Sequence, residues 1–254
     1  MSVTAYFNQL RQLTVADLPQ IAELQAAVTA GLTAGFIRSK SESELRANLD
    51  GTLGAAYGIV EAGALVAMSL LRIPSEKHPN PGLRFALESA DVVVAAGLGE
   101  TLVEEDWSLY TCFLEHAMVL PTARGRGYQR ALLDARLAHA ASAKMRWVCA
   151  GVHFQNSVSW ANLLAKGMAI AGIRFDPGYP VLGLLRSLDA RVFTSDSSNR
   201  APVSAHDAFQ HQAALQNGYI GVRLASDGAV IYQRLLLHGD RPRKRSPAHG
   251  RGRG

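Results

Sequence analysis

The chain has 254 residues, 48% of them apolar and 19% charged, enough to bury a core and too hydrophobic for a disordered chain. No apolar run reaches the roughly 18–20 residues of a membrane span, and no basic-then-greasy leader precedes Leu18. Cys112 and Cys149 both lie in apolar strand-like runs, which argues against a disulfide scaffold and a zinc cluster, and the eight histidines show no metal-ligand spacing, so no metal is expected. The formal charge of +5 is local. Six basic residues and one acid fall between Asp240 and Gly254, and the first 239 residues hold twenty of each sign. The folded body is thus neutral, neither a membrane nor a nucleic-acid partner is expected, and the Pro/Gly/Arg stretch 239–254 reads as a disordered tail. A cytoplasmic protein is the expectation.

In chain order, Thr14 with Asp17 announces a helix that carries Leu18, Ile21, Leu24 and Val28 at helical spacing. Ser41 with Glu44 starts a second helix, which Gly51 stops. Two strands, 55–61 and 64–73, flank Ala62-Gly63 as a hairpin. Residues 74–107 have no sustained period and read as a long irregular connection against which an acceptor would sit; they include Arg84, Glu88, Asp91, Glu104, Glu105 and Asp106. A central strand runs from about Leu109 to Leu120, where Pro121 ends it. A helix over 128–143, a strand over 146–153 and a short helix over 157–165 closed by Gly167 come next. Strands near 168–173 and 181–185 precede a polar linker or surface loop, 187–203. Ser204 with Asp207 caps a last helix to about Gln216, and strands 219–225 and 229–235 flank the hairpin signal Asp227-Gly228. No internal repeat is visible. The pattern predicts an α+β chain around one mixed, mostly antiparallel sheet flanked by helices, with a C-terminal helix and hairpin as an extension. The expected divisions are 1–187 for the main domain, 188–238 for the extension packed on it, and 239–254 for the tail.

Chemistry concentrates in Val119-Leu120-Pro121-Thr122-Ala123-Arg124-Gly125-Arg126-Gly127-Tyr128-Gln129-Arg130. A strand ends at proline, the chain turns through two glycines, and a helix begins. The glycines let successive N–H groups converge, the helix start adds a partial positive charge, and Arg124, Arg126 and Arg130 add full ones. That combination suits a phosphate or pyrophosphate. A Walker loop fails for want of Lys-Ser or Lys-Thr, and a dinucleotide fingerprint fails because residue 130 is arginine.

These residues resemble the phosphate loop of the GNAT acyltransferase superfamily, [QR]-x-x-G-x-[GA] after a strand ending V-x-P. Val119 and Pro121 match the strand end, Arg124 the first loop position and Gly127 the fourth; Gln129 departs at the sixth, so its side chain must point away from the ligand. Asn156, Ser159, Trp160 and Ala165-Lys166-Gly167-Met168 are similar to the family's asparagine, short helix and closing motif. The resemblance implies a GNAT fold with a splayed central sheet that holds coenzyme A, and direct acetyl transfer from acetyl-CoA to a primary amine, most simply of a small molecule. It implies that backbone groups of Met118, Val119 and Leu120 meet the pantetheine arm. The N–H groups of Arg126, Gly127, Tyr128 and Gln129 would hold the pyrophosphate, with Arg124, Gly125 and Arg130 beside them as further cofactor-binding residues, and Asn156 would meet the pantetheine or line the cofactor wall.

On that model Glu115 is the first choice of base. A carboxylate paired to a nearby arginine is its equally weighted structural reading, and His116 is its competitor. Strand alternation sends Glu115 and His116 to opposite faces, so only one would face the acceptor. The tyrosine that many relatives use as the acid is Leu163 here, which leaves Ser159 or water to protonate the thiolate. The alternative is a non-catalytic, GNAT-like module that binds acyl-CoA in regulation or partner contact. The C-terminal hairpin would extend the sheet, cover the cleft or make a homodimer contact.

Overall fold

The computed structural model of the chain describes residues 10–30, 37, 39–75, 110–176, 179–188 and 194–236. Strand β1 (Leu10–Gln12) leads into a tight turn in which the Thr14 N–H donates to Asp17 Oδ2 at 2.8 Å. Arg11 grips the same carboxylate at 2.5 Å and its hydrogen bonds hold Asp17 down at about 2. Helix α1 (Leu18–Thr29) follows, with proline in its first turn, where no N–H is needed. Helix α2 (Glu42–Leu49) starts on the reciprocal Ser41–Glu44 box. Strands β2 (Gly54–Glu61) and β3 (Ala64–Arg72) turn through Ala62 and Gly63, both at positive φ (48° and 84°), as a two-residue hairpin of this hand requires.

Next come β4 (Thr111–Val119), α3 (Tyr128–Ser142), β5 (Trp147–His153), α4 (Ser157–Ala165), β6 (Ala169–Asp176) and β7 (Tyr179–Ser187). The described chain ends with β8 (Thr194–Ser204), α5 (Ala208–Gln216), β9 (Tyr219–Leu224) and β10 (Ala229–Leu236). All ten strands join one sheet in the order β1-β2-β3-β4-β5-β7-β6-β9-β10-β8. Neighbours are antiparallel except β4 and β5, which are parallel. The expected α+β class, a mixed and mostly antiparallel sheet flanked by helices, is the one observed.

Apolar stripes decide which face each helix covers. Ile21 and Leu24 of α1 and Leu45 and Leu49 of α2 pack on Met68, Leu70 and Met118. On the other face, Leu132 of α3 packs on Ile59 and Ala67. Leu133 of α3, Trp160 and Leu164 of α4, and Leu215 of α5 share a core with Val148, Ile170 and Leu182. Each of these large side chains contributes roughly 1.5–3 kcal/mol through burial. The parallel pair is short: Thr111–Trp147, Cys112–Val148 and Phe113–Cys149 are its three registered pairs. Beyond them β4 and β5 part, and the sheet opens between them.

Three sequence expectations change. The stretch read as a linker, 187–203, is largely strand β8, which pairs with β10 from Ser204–Ala229 to Thr194–Leu236. Its Ser, Asp and Asn residues suit an edge strand, which needs a backbone ladder on one side only and whose side chains stand off the sheet faces near solvent. Helix α5 is capped by Asp207 itself, whose Oδ1 accepts from the N–H groups of Phe209 (3.1 Å) and Gln210 (3.0 Å). Residues 76–107 of the long connection and the tail 239–254 lie outside the described residues.

The third change is an internal repeat. The unit β5-α4-β6-β7 recurs 51 positions later as β8-α5-β9-β10, up to a shorter final hairpin. Both helices have nine residues, with caps at Asn156 and Asp207, and both end in a glycine at φ 77°, Gly167 and Gly218. Trp160 and His211 occupy the same helical position with 0% exposure. Each unit has its bulge at the same place, Ala171 and Val222, and its last strand in the middle, as β5-β7-β6 and β9-β10-β8. The units meet where Ile170 pairs with Gly221, which are equivalent positions, so a local twofold passes between them. Ala150/Ala201, Val152/Val203, Leu164/Leu215 and Gly167/Gly218 are the identities across the aligned stretch 147–173, too few to betray the repeat in sequence.

Candidate functional site

The opened wedge between β4 and β5 is where the unusual residues gather. Leu120 N–H donates to Val66 O at 2.9 Å, so by antiparallel alternation the backbones of Leu120 and Met118 face β3, and those of Val119 and Ala117 face the wedge. Of the three strand residues expected to meet a pantetheine arm, Val119 therefore lines the groove. Met118 is buried under α1 and α2, and Leu120 also packs toward the core.

After Val119 a short turn over Pro121–Ala123 delivers the chain to Gly125 and Gly127, at φ 77° and 80°. A side chain at either would be strained by φ alone, although there is open space around both. Among the described residues no backbone carbonyl takes the N–H of Gly125, Arg126, Gly127 or Gln129. They are left to converge at the start of α3, whose dipole adds to them. The groove they border has a volume of about 680 Å³ and is also lined by Arg124, Arg130, Asn156 and Val158.

The three arginines do not act together. Arg126 turns out of the groove, to Glu61 at 3.0 Å and to the Thr122 carbonyl at 3.3 Å. The Tyr128 hydroxyl donates to the same Glu61 carboxylate, and burial together with that carboxylate raises the phenol's pKa. Arg124 and Arg130 remain on the groove. Gln129, the departure from the loop pattern, reaches across to α4: its Nε2 donates to Ser159 Oγ (3.1 Å) and its Oε1 accepts from Asn162 Nδ2 (2.8 Å). Arg130 Nε donates to Asn162 Oδ1 at 2.9 Å. This network ties α3 to α4. Asn156 Oδ1 caps α4 by accepting the Ser159 N–H at 3.2 Å, which leaves its amide NH₂ for the groove.

Deeper in the wedge is a second cavity of about 200 Å³, walled by β4, β5, α3 and α4. Here the strand breaks its own alternation. Ser69 pairs with Ala117 and Leu70 with Glu115, so His116 is an extra residue, a bulge at φ 34°. The bulge brings Glu115, His116 and Ala117 to the same cavity, so both candidate bases border it. The Glu115 carboxylate is held by Lys40 Nζ at 2.9 Å and Arg72 Nη1 at 3.5 Å. The arginine pairing weighed as the structural alternative for this carboxylate is present at Arg72, with Lys40 as a second cation.

Ser159 also borders this cavity, with its hydroxyl engaged by Gln129, and so does Leu163, at the place of the family's tyrosine. Cys112 and Cys149 are fully buried on the β4–β5 seam, and burial pushes the Cys112 thiol up to about 12, far from a nucleophile's range.

Sequence reasoning missed Arg136 and His153. His153 ends β5, its Nδ1 accepts the Gln155 N–H at 3.2 Å, its ring stacks on Tyr179 at 4.6 Å, and burial lowers its pKa. Arg136 is 3% exposed in the middle of α3. Its signal was present: it falls three and four residues after Leu133 and Leu132, on the stripe that must be buried.

Neither a protein-family model nor a curated protein matches the sequence. Solved structures do match its shape. One chain of the NatC complex, solved with Gag peptide and CoA bound, is 12% identical, with a TM-score of 0.50 over 70% of this chain and 97% of that one. The ribosomal-protein-S18-alanine N-acetyltransferase of Escherichia coli is 14% identical, with a TM-score of 0.49 over 70% and 92%. A putative acetyltransferase from Salmonella typhimurium, solved with acetyl-CoA, is 18% identical, with a TM-score of 0.49 over 74% and 97%. The mixed, mostly antiparallel sheet flanked by helices accords with the match at a TM-score of 0.50: the chain has the GNAT fold.

Proposed function

We propose that the protein transfers an acyl group from a coenzyme A thioester, acetyl-CoA being the simplest, directly to a primary amine of a small molecule. The observation that carries this reading is one continuous path. Among the described residues, the N–H groups of Gly125, Arg126, Gly127 and Gln129 that no backbone carbonyl takes, with Arg124 and Arg130, suit a pyrophosphate, the backbone edge of Val119 and Ala117 suits the pantetheine amides, and the bulged strand at His116 lies where the thioester would end. In the reaction the amine nitrogen attacks the thioester carbonyl, the C–S bond breaks as the C–N bond forms, the nitrogen loses a proton and the thiolate gains one.

Glu115 is the proposed acceptor of the amine's proton through water, with Lys40 and Arg72 fixing its position. Ser159, fixed by Gln129, is the proposed donor to the thiolate. Purified protein given acetyl-CoA and a panel of amines and amino-terminal peptides should release free thiol; failure of any coenzyme A thioester to bind overturns the reading. Glu115→Gln should keep coenzyme A affinity and slow turnover about 10²-fold or more; an unchanged rate removes Glu115 from the base role. Leu163 in the usual tyrosine's place and the double ion pair at Glu115 favour a second reading, a module that binds acyl-CoA without turnover. Its signature is saturable binding with no thiol release across the whole panel.

A further inference from the structure

The inner cavity is charged in an unusual way. Arg136 Nε donates to Leu132 O of its own helix (3.4 Å), and Nη1 donates to the carbonyls of Leu70 and Glu115 (both 3.3 Å). Those two carbonyls belong to the residues that face each other at the β4 bulge. Among the described residues no carboxylate pairs with this guanidinium and no partner takes Nη2, although the side chain is buried and borders the cavity. Burial lowers its pKa to about 10, so it remains a cation at neutral pH. A buried, unpaired charge is among the most costly features a fold can keep.

Among the described residues the neighbourhood does not compensate it: Glu115 is the carboxylate on this cavity, and Lys40 and Arg72 already hold it. Among the described residues that line it, Arg136 is thus the one guanidinium and Glu115 the one carboxylate, each without the other, around a space of about 200 Å³, several times a water's share of about 30 Å³ and more than an acetyl group fills. His153 and Ser159 add polar groups to its wall.

We propose that this cavity takes an acyl group that itself carries a carboxylate, a dicarboxylic monoacyl thioester of coenzyme A, with Arg136 receiving the distal carboxylate. The proposal rests on the coenzyme A reading above, and it replaces the simplest donor, acetyl, by a class. A planar guanidinium with a free edge suits a carboxylate better than any neutral chain end.

The test is calorimetric binding of coenzyme A, acetyl-CoA, butyryl-CoA and succinyl-CoA to the full chain. Succinyl-CoA should bind about 10- to 100-fold tighter than butyryl-CoA, its uncharged counterpart of equal length. Arg136→Met should bring that ratio to about 1, and Arg136→Lys should keep part of it. Because Arg136 also holds the bulge carbonyls, a variant that fails to fold is replaced by a measurement on the wild type. The ¹³C-labelled distal carboxyl of bound succinyl-CoA should then titrate well below its value in free succinyl-CoA. If no thioester and no coenzyme A binds, the underlying reading fails. If coenzyme A binds but succinyl-CoA shows no advantage, if the advantage survives Arg136→Met, or if the bound carboxyl titrates as in solution, the inference is overturned and the underlying reading stands.

Discussion

In β5-α4-β6-β7 the strand that feeds the helix has β4 beside it for three residue pairs and then parts from it. In β8-α5-β9-β10 the equivalent strand, β8, has β10 on one side and, among the described residues, no strand on the other. The two units share helix length, cap position, glycine stop and bulge. What differs is the neighbour, and with it the use. The first unit forms one wall of the wedge; the second pairs with its β6 edge. Side chains follow the neighbours. The first unit caps its helix with Asn156, uncharged beside the glycine loop, while the second uses Asp207, whose charge suits a helix start.

The comparison breaks hardest at the glycine loop, which shares the groove with the first unit and has, among the described residues, no counterpart beside the second. Gly127→Glu combines a strained φ with a negative charge where an anion is expected, and should weaken coenzyme A binding about 10³-fold or more, measured by calorimetry. A glutamate at Gly218, also at positive φ, should cost stability alone and leave coenzyme A affinity as it was.

The dyad itself is the next target. A Cβ at Gly221 would lie 3.1 Å from Ile170 Cβ, Tyr232 Cζ and Val230 Cγ1, so the twofold has room for one side chain across it. Gly221→Ile should destabilise by about 3 kcal/mol in urea unfolding. Adding Ile170→Gly should recover a large part of that loss; no recovery would mean that the two positions are not in mutual contact.

Trp160 and His211 separate the units by pH. The His211 Nε2–H donates to the Ser204 carbonyl at 3.1 Å, which assigns the tautomer, and Nδ1 then accepts the Tyr232 hydroxyl at 2.7 Å. Burial lowers His211 from 6.5 to about 4. The folded state therefore binds its proton later than the unfolded chain on acidification. Stability should be level above about pH 6.5 and fall as pH drops toward 4, by about 3 kcal/mol in all. Melting temperatures across that range should lose this limb in His211→Gln. A limb that survives the substitution belongs to another group.

The smallest expected effect compares the caps. Asn156→Asp keeps the cap but puts charge beside the groove, and should weaken coenzyme A binding about tenfold. Asp207→Asn should change neither binding nor, beyond about 0.5 kcal/mol, stability. Equal behaviour of the two substitutions would show that the cap charge is irrelevant to the groove.

Much of the architecture was legible because its signals are local. Ser41–Glu44, Ala62-Gly63, the helix from Tyr128 and Asp227-Gly228 each specify backbone through their own chemistry. Strand β8 was not, since an edge strand is defined by its partner and its Ser/Asp/Asn composition imitates a loop. The repeat was hidden because capping accepts Asn or Asp and a core position accepts Trp or His once its polar atom is satisfied: Trp160 Nε1 donates to the Phe154 carbonyl as His211 donates to that of Ser204. Within the site, the loop and Asn156 were readable as a motif. The bulge at His116 was not, because one inserted residue reverses every face assigned by alternation. The turning away of Arg126 depended on Glu61, 65 positions earlier and across the sheet, a distance that no local pattern spans.

The short parallel seam has a consequence for cooperativity. Three residue pairs are the backbone ladder that joins β1–β4 to β5–β10, and across the wedge beyond them α3 meets α4 through Gln129, Arg130 and Asn162. The backbone ladder of the ten strands is thereby divided into two blocks with a narrow waist, bridged on one face by the core that α3 shares with α4 and β5, and blocks joined by so short a ladder open at different free energies. Amides of β3 and those of β7 should then exchange with solvent deuterium at different free energies. A molecule lying along the wedge would contact both blocks, so its binding would make the two exchange as one.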